Sequence, residues 1–288
     1  MPARFRRWAA VGVVVGVGAC LSAGAGGERL KTRHSETLGL EAGQTATVAA
    51  KCPRGTRSLS GGFETDFVNP AEPALVSGYG SRKRGARTWE ARAWNHNDIG
   101  WDGEVTGLAY CRNEKLATRT KSTEVEGTGG VLGNYHTGSI EAKCPRGTKA
   151  ISGGFDHPDF LVGLNPAFID AYESRKTGKR SWRTSGQNVG EPAGELVAQV
   201  VCHEGKALKT RRATEAIPPF EPTEVAVKCK RGQRVVSGGF AFEVPREGST
   251  FGPVVTDSHK QGKRIWVTTF DNTNETDEVT AYAYCERP

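Results

Sequence analysis

The sequence predicts an all-β chain made of three tandem antiparallel repeats of about 85 residues, one disulfide each. Three observations predict it. First, one motif is written three times: Lys51-Cys52-Pro53-Arg54-Gly55 with Ser60-Gly61-Gly62-Phe63, Lys143-Cys144-Pro145-Arg146-Gly147 with Ser152-Gly153-Gly154-Phe155, and Lys228-Cys229-Lys230-Arg231-Gly232 with Ser237-Gly238-Gly239-Phe240. In each copy the Ser falls eight residues after the Cys, a Trp follows (Trp89, Trp182, Trp266), an Asn lies six residues beyond it (Asn95, Asn188, Asn272), and a second Cys closes the unit (Cys111, Cys202, Cys285). Second, the cysteines come two to a repeat. Third, apolar residues alternate with a period of two, and no helical periodicity follows the N-terminal leader.

The leader is read over residues 1–25. Arg4, Arg6 and Arg7 precede an apolar stretch from Ala9 to Ala19 that is short for a membrane span, the pattern of a bacterial secretory signal. Val17-Gly18-Ala19-Cys20 resembles a lipobox, in which Cys20 would be lipidated as the first mature residue; Ala23-Gly24-Ala25 offers an ordinary cleavage site just beyond. Either route removes Cys20 from the pool of seven cysteines and leaves six. Pairing inside each repeat gives Cys52–Cys111, Cys144–Cys202 and Cys229–Cys285. Each bridge would close a loop of just under sixty residues, worth up to about 4 kcal/mol by loop entropy. There is no Cys-x-x-Cys pair and no His at a fixed repeat position, which argues against a metal site.

The strands follow from alternation. Val48, Ala50 and Cys52 share a face, as do Ile140, Ala142, Cys144 and Val225, Val227, Cys229, with the preceding lysines facing out. The closing strands repeat this (Val105, Gly107, Ala109, Cys111; Leu196, Ala198, Val200, Cys202; Val279, Ala281, Ala283, Cys285), so both cysteines of a unit point inward. Between them come the Ser-Gly-Gly-Phe strand, where paired glycines mark a bulge or a close backbone approach, and a hairpin ending in the Trp strand. A sixth strand opens each unit near Leu30, Leu116 and Leu208. The repeats then cover 29–112, 115–203 and 207–288, with too few residues between them for flexible linkers. Two arrangements fit: three small sandwiches packed side by side, or one pseudo-threefold body with strands shared between units.

The Cys-Pro and Gly-Phe stretches resemble those of the vitelline membrane outer layer protein family, which implies a β-prism-like version of the second arrangement. Over nearly all of the mature chain, the Cys-Pro-x-Gly-Thr, Ser-Gly-Gly-Phe, Trp-x-x-x-x-x-Asn and closing-Cys pattern is similar to repeats of secreted, largely actinobacterial proteins of unassigned role. That resemblance implies export and no particular ligand. The third copy departs from it, with Lys230 for Pro and Gln233 for Thr.

Function is read from surface chemistry. The chain has 39 Lys and Arg against 32 Asp and Glu, a net charge of +7 to which the leader contributes three arginines. Basic residues recur at the hairpin tips: Arg82, Lys83, Arg84 and Arg87; Arg175, Lys176, Lys179 and Arg180; Lys260, Lys263 and Arg264. In a threefold body these would form three equivalent positive patches suited to an anionic glycan or wall polymer. The expectation is a non-catalytic extracytoplasmic binding protein, without cofactor or metal, touching a membrane only through a lipid on Cys20. A structural envelope protein whose basic edges merely keep it soluble is the alternative. The three repeat tryptophans alternate with small residues and read as core anchors rather than stacking platforms, which disfavours nucleic acid. Trp94 and Trp101, found in the first repeat alone, would line a sugar site or cap an apolar cluster. The six histidines occupy non-equivalent positions and no Gly-x-Ser-x-Gly elbow occurs, so hydrolase readings lose their anchors. Glu104, Glu195 and Glu278 open the closing strands and are the only recurring acids with which a carboxylate pair for glycan hydrolysis could be built.

Overall fold

A computed structural model of the chain describes residues 30–67, 76–96, 100–129, 135–158, 167–219, 221–243, 253–271 and 277–287. The leader, Cys20 and Asn272 lie outside the described residues. The first repeat forms β1 (Lys31–His34), β2 (Leu38–Leu40), β3 (Thr45–Lys51), β4 (Arg57–Phe67), β5 (Val76–Lys83), β6 (Thr88–Asn95) and β7 (Gly103–Arg112). The second forms β8 (Ala117–Val125), β9 (His136–Lys143), β10 (Lys149–Asp156), β11 (Ile169–Lys176), β12 (Ser181–Asn188) and β13 (Gly194–His203). The third forms β14 (Lys209–Ile217), β15 (Thr223–Lys228), β16 (Arg234–Phe242), β17 (Val254–Gln261), β18 (Ile265–Asp271) and β19 (Asp277–Glu286). No helix is assigned among the described residues.

The strands make three antiparallel sheets, ordered β1-β7-β4-β17-β18-β15 (with β2 also on β7), β3-β6-β5-β10-β13-β8 and β14-β19-β16-β11-β12-β9. Each sheet joins strands of two repeats, four and three in the first sheet and three and three in the other two. Each repeat therefore spans two sheets, and the arrangement with shared strands is the one observed. The seams are short and share one matched position: Phe63 opposite Ser258, Phe155 opposite Ser81, and Phe240 opposite Ser174, the last extended by Ala241 opposite Glu173.

The Ser-Gly-Gly-Phe signature builds these seams residue by residue. The serine hydroxyls form a closed ring from repeat to repeat: Ser60 Oγ donates to Val236 O at 2.6 Å, Ser152 to Leu59 O at 2.5 Å, and Ser237 to Ile151 O at 2.6 Å. A Cβ on the first glycine (Gly61, Gly153 or Gly238) would overlap the ring of Trp89, Trp182 or Trp266 of the same repeat. A Cβ on the second (Gly62, Gly154 or Gly239) would overlap the backbone carbonyl of Ser258, Ser81 or Ser174 in the adjoining repeat. That same serine accepts the indole N–H: Trp89 to Ser81 at 2.9 Å, Trp182 to Ser174 at 3.0 Å, and Trp266 to Ser258 at 3.1 Å. These groups meet around a central void of about 30 Å³ lined by equivalent residues of all three repeats.

The three disulfides pair as expected, with Cα separations of 5.6, 5.7 and 5.8 Å. Their placement adds something the pairing alone does not show. Cys52 follows β3 and Cys111 lies in β7, so the first bridge joins two different sheets; the second and third do the same for the remaining two pairs of sheets. Each Cys-Pro-x-Gly turn uses a glycine at positive φ, 80° at Gly55 and 87° at Gly147. The third turn keeps this geometry despite Lys230 and Gln233, with Gly232 at 76° and Gln233 N donating to Lys230 O at 3.0 Å. The glycine, not the proline, carries the turn.

Because the second glycine of the signature lies where two backbones meet, Gly154→Ala should cost about 3 kcal/mol. Gly85→Ala, where an added Cβ meets nothing within 4 Å, should change stability by about 0.5 kcal/mol or less. Urea denaturation of the two variants checks the contrast; equal effects would refute the seam assignment.

Candidate functional site

Register places the hairpin tips together. Arg57 opposes Arg112, Lys149 opposes His203, and Arg234 opposes Glu286, while Lys51 opposes Thr88, Lys143 opposes Ser181, and Lys228 opposes Ile265. The Cys-Pro-x-Gly turns, the hairpin tips and the ends of the closing strands of all three repeats thus share one end of the body. Each tip is clamped to its own turn: Cys52 N donates to Arg87 O at 2.7 Å, Cys144 N to Arg180 O at 2.8 Å, and Cys229 N to Arg264 O at 2.8 Å. Lys51, Arg54, Arg57, Lys143, Arg146, Lys228, Lys230 and Arg231 are exposed there.

The carboxylates at this end are largely engaged. Glu90 bridges Arg84 and Arg92, both at 3.3 Å, and Glu141 holds Lys143 at 3.1 Å. The residues that follow the closing cysteines are Arg112, His203 and Glu286, and they meet in one network. Arg112 pairs with Glu114 at 2.5 Å and with Glu286 at 2.6 Å; Arg234 pairs with Glu286 at 2.6 Å, and His203 Nδ1 lies 2.9 Å from Glu114. The opposite end collects Glu41, Glu64, Asp66, Glu104, Glu195, Asp277 and Glu278. The body is therefore polar in charge along its length, basic at one end and acidic at the other.

The eleven tip residues divide by what they touch. Arg84, Lys179 and Lys263 are exposed. Arg87 and Arg180 turn back and donate to the carbonyls of Cys52 and Cys144, each at 2.9 Å; Arg264 is half-buried beside the same turn of the third repeat. Arg82 reaches across a seam to the buried Asp156 at 2.6 Å, with Arg92 at 3.3 Å from the same carboxylate. Burial pushes Asp156 up from the usual carboxylate range and Arg82 down. Arg175 pairs with Glu173 at 2.6 Å. Lys176 and Lys260 are half-buried, their ammonium groups 5.9 and 5.8 Å from the ring centres of Tyr284 and Tyr110. Lys83 is buried and donates to Ser58 O at 2.5 Å.

Sequence reasoning missed the groups that brace these lysines. Tyr110 and Tyr284 hydroxyls accept the backbone N–H of Lys260 and Lys176, each at 2.7 Å. In the second repeat Val201 stands where the tyrosine would be, and Gln199, two residues earlier on the same face, does the work. Its Oε1 accepts Lys83 N at 2.7 Å and its Nε2 donates to Lys83 O at 3.0 Å. The available signal was the Tyr-Cys, Val-Cys, Tyr-Cys series at the closing cysteines, which needs the neighbouring repeat to interpret.

The other singled-out residues have structural partners. Asn95 and Asn188 are fully buried at strand ends, and each donates to one strand-end and one loop carbonyl, Asn95 to Leu40 and Trp101, Asn188 to Val125 and Pro192. Trp94 packs edge-on against Phe168 of the second repeat, with ring centres 4.3 Å apart, while Trp101 packs on the core. Glu104 lines an acidic groove with Glu64, Asp66 and Asp257, and Glu195 sits apart beside Glu124. Among the described residues no group of three His, Cys, Asp or Glu is placed to hold a metal ion, and none forms a helix long and apolar enough to cross a membrane. No protein-family model matches the chain, and no curated protein matches it.

Burial pushes Lys83 down to about 8, with the positive charge of Arg57 adding to the shift. The folded state then holds fewer protons than the unfolded chain between about pH 8 and the ordinary lysine range, so stability rises with pH across that window. Lys83→Met lacks this slope. The stability of the wild type relative to the variant should increase by roughly 2 kcal/mol between pH 7.5 and 10. Paired denaturation curves at the two pH values measure it; a difference that does not change with pH would contradict the buried, easily deprotonated lysine.

Proposed function

We propose that the protein is a non-catalytic binding module of an extracytoplasmic compartment, which sets its basic end against an anionic polymer of the cell envelope. The gathering of three clamped basic tips at one end, with the acids at the other, is the observation that carries this reading. A rigid surface with three equivalent patches suits a repeating polyanion, because each further contact is made at high effective concentration and without ordering a loop. The three disulfides support an oxidising compartment, the leader read over residues 1–25 would supply the route, and lipidation of Cys20 would add an anchor.

Of the eleven tip residues, Arg84, Lys179 and Lys263 reach solvent, and the contact set joins them to the exposed turn arginines Arg54, Arg146 and Arg231. Arg82, Lys83, Lys176 and Lys260 serve the body itself. Co-sedimentation of the mature chain (Gly26 onward) with Gram-positive walls, before and after removal of their anionic polymers, tests the reading. Binding should fall about tenfold or more when the six exposed residues become Ser, and should weaken steeply from low to physiological salt. Binding unchanged by the six substitutions, or unchanged on stripping the polymers, would reject it in favour of a purely structural role.

A further inference from the structure

The basic end is not evenly threefold. Where the first described residue, Leu30, meets the turn and hairpin of the third repeat, the surface opens into a cleft of about 700 Å³. Leu30, Val235 and Ile265 supply an apolar lining, and Lys228, Lys263 and Arg264 stand on its walls. Gln233 also lines it. That side chain is buried, and its Oε1 has no hydrogen-bond partner.

The other repeats fill this position differently. Thr56 and Thr148 occupy the place of Gln233, and each hydroxyl is used locally, donating to Pro53 O and Pro145 O at 2.9 Å. The third repeat replaces both partners of that contact, with Lys230 for the proline and Gln233 for the threonine. The turn survives through its backbone bond, but a buried acceptor is left without a partner beside the cleft. Such a group costs about 1–3 kcal/mol while unpaired, a cost that a ligand's donor would relieve.

We infer that this cleft binds an acidic amphiphile: a molecule whose apolar chain lies on Leu30, Val235 and Ile265, whose phosphate or carboxylate head sits among Lys228, Lys263 and Arg264, and whose hydroxyl or amide hydrogen reaches Gln233. The volume is in the range of small-molecule sites, and apolar walls with a few convergent polar groups are their usual composition. The inference rests on the basic end described above but differs in stoichiometry, since the open glutamine belongs to the third repeat alone.

The test is calorimetric titration of the mature chain with decyl phosphate below its critical micelle concentration, with inorganic phosphate and decanol as head-only and tail-only probes. One saturable site per chain is expected. Affinity for decyl phosphate should exceed that for either probe by about tenfold or more, and should fall by a similar factor in Ile265→Ser and in Lys230→Pro/Gln233→Thr, which restores the turn of the other repeats. It should persist when Arg54, Arg84, Arg146 and Lys179 become Ser, substitutions that weaken polymer binding, so the two readings fail separately. Vesicles containing phosphatidylglycerol distinguish the source: binding with the same dependence on Ile265 assigns a bilayer lipid, and binding of the free amphiphile alone assigns a soluble one. Equal affinity for inorganic phosphate, no saturable site, or no effect of either cleft variant would overturn the proposal. So would a chain starting at Leu30 that binds about tenfold tighter than one starting at Gly26, because the cleft would then belong to the protein's own N-terminal residues.

Discussion

The close approach of two backbones at each inter-repeat seam is the constraint on which the rest of the structure depends. Gly62, Gly154 and Gly239 lie against a carbonyl of the adjoining repeat, and no side chain fits there. The geometry pairs Phe63 with Ser258, Phe155 with Ser81 and Phe240 with Ser174, joining half-sheets of different repeats into sheets of six or seven strands. It also turns one serine of each hairpin toward an indole and one serine of each signature toward a neighbouring carbonyl. Hydrogen bonds that would otherwise be lost in the interior are thereby satisfied. Shared strands remove sheet edges that separate repeats would have to protect.

The disulfides reinforce this plan rather than create it. Each ties together two sheets within one repeat, while each seam ties together two repeats within one sheet, so covalent and hydrogen-bonded links alternate around the body. The turn beside each opening cysteine then serves two ends. Its glycine reverses the chain, and its cysteine N–H holds the hairpin tip. A tip fixed in this way presents its arginines and lysines without further ordering cost, which is the link from packing to the proposed binding surface.

Much of the fold was legible in the residues because the repeat signal and the period-two pattern coincide. Val48 and Ala50 are buried alternately in β3 and Cys52 continues the pattern just after it, and the cysteine pairs follow from two per unit. Which repeat supplies the partner strand was not legible. Gly-Gly announces a close approach without naming what approaches, and the partner lies 192 residues away for Thr65 and Asp257, whose carboxylate accepts the Thr65 N–H. The basic tips could be found by position, but not their division into working and structural cations. Arg82 looks like Arg84 in sequence, yet one is spent on Asp156 and the other is exposed. That difference depends on an acid from the next repeat. The third turn departs in sequence at Lys230 and Gln233, yet Gly232 keeps the positive φ of the other two turns and Gln233 N keeps the backbone bond to Lys230 O.

The central claim is that three repeats form one cooperative body because they share strands. Hydrogen exchange on a Cys144→Ala/Cys202→Ala variant, read by mass spectrometry across all three repeats, tests it most directly. The account predicts that protection falls together in β5 and β6 of the first repeat, in the second repeat itself, and in β16 and β19 of the third. Loss confined to residues 115–203, with the first and third repeats keeping full protection, would contradict it.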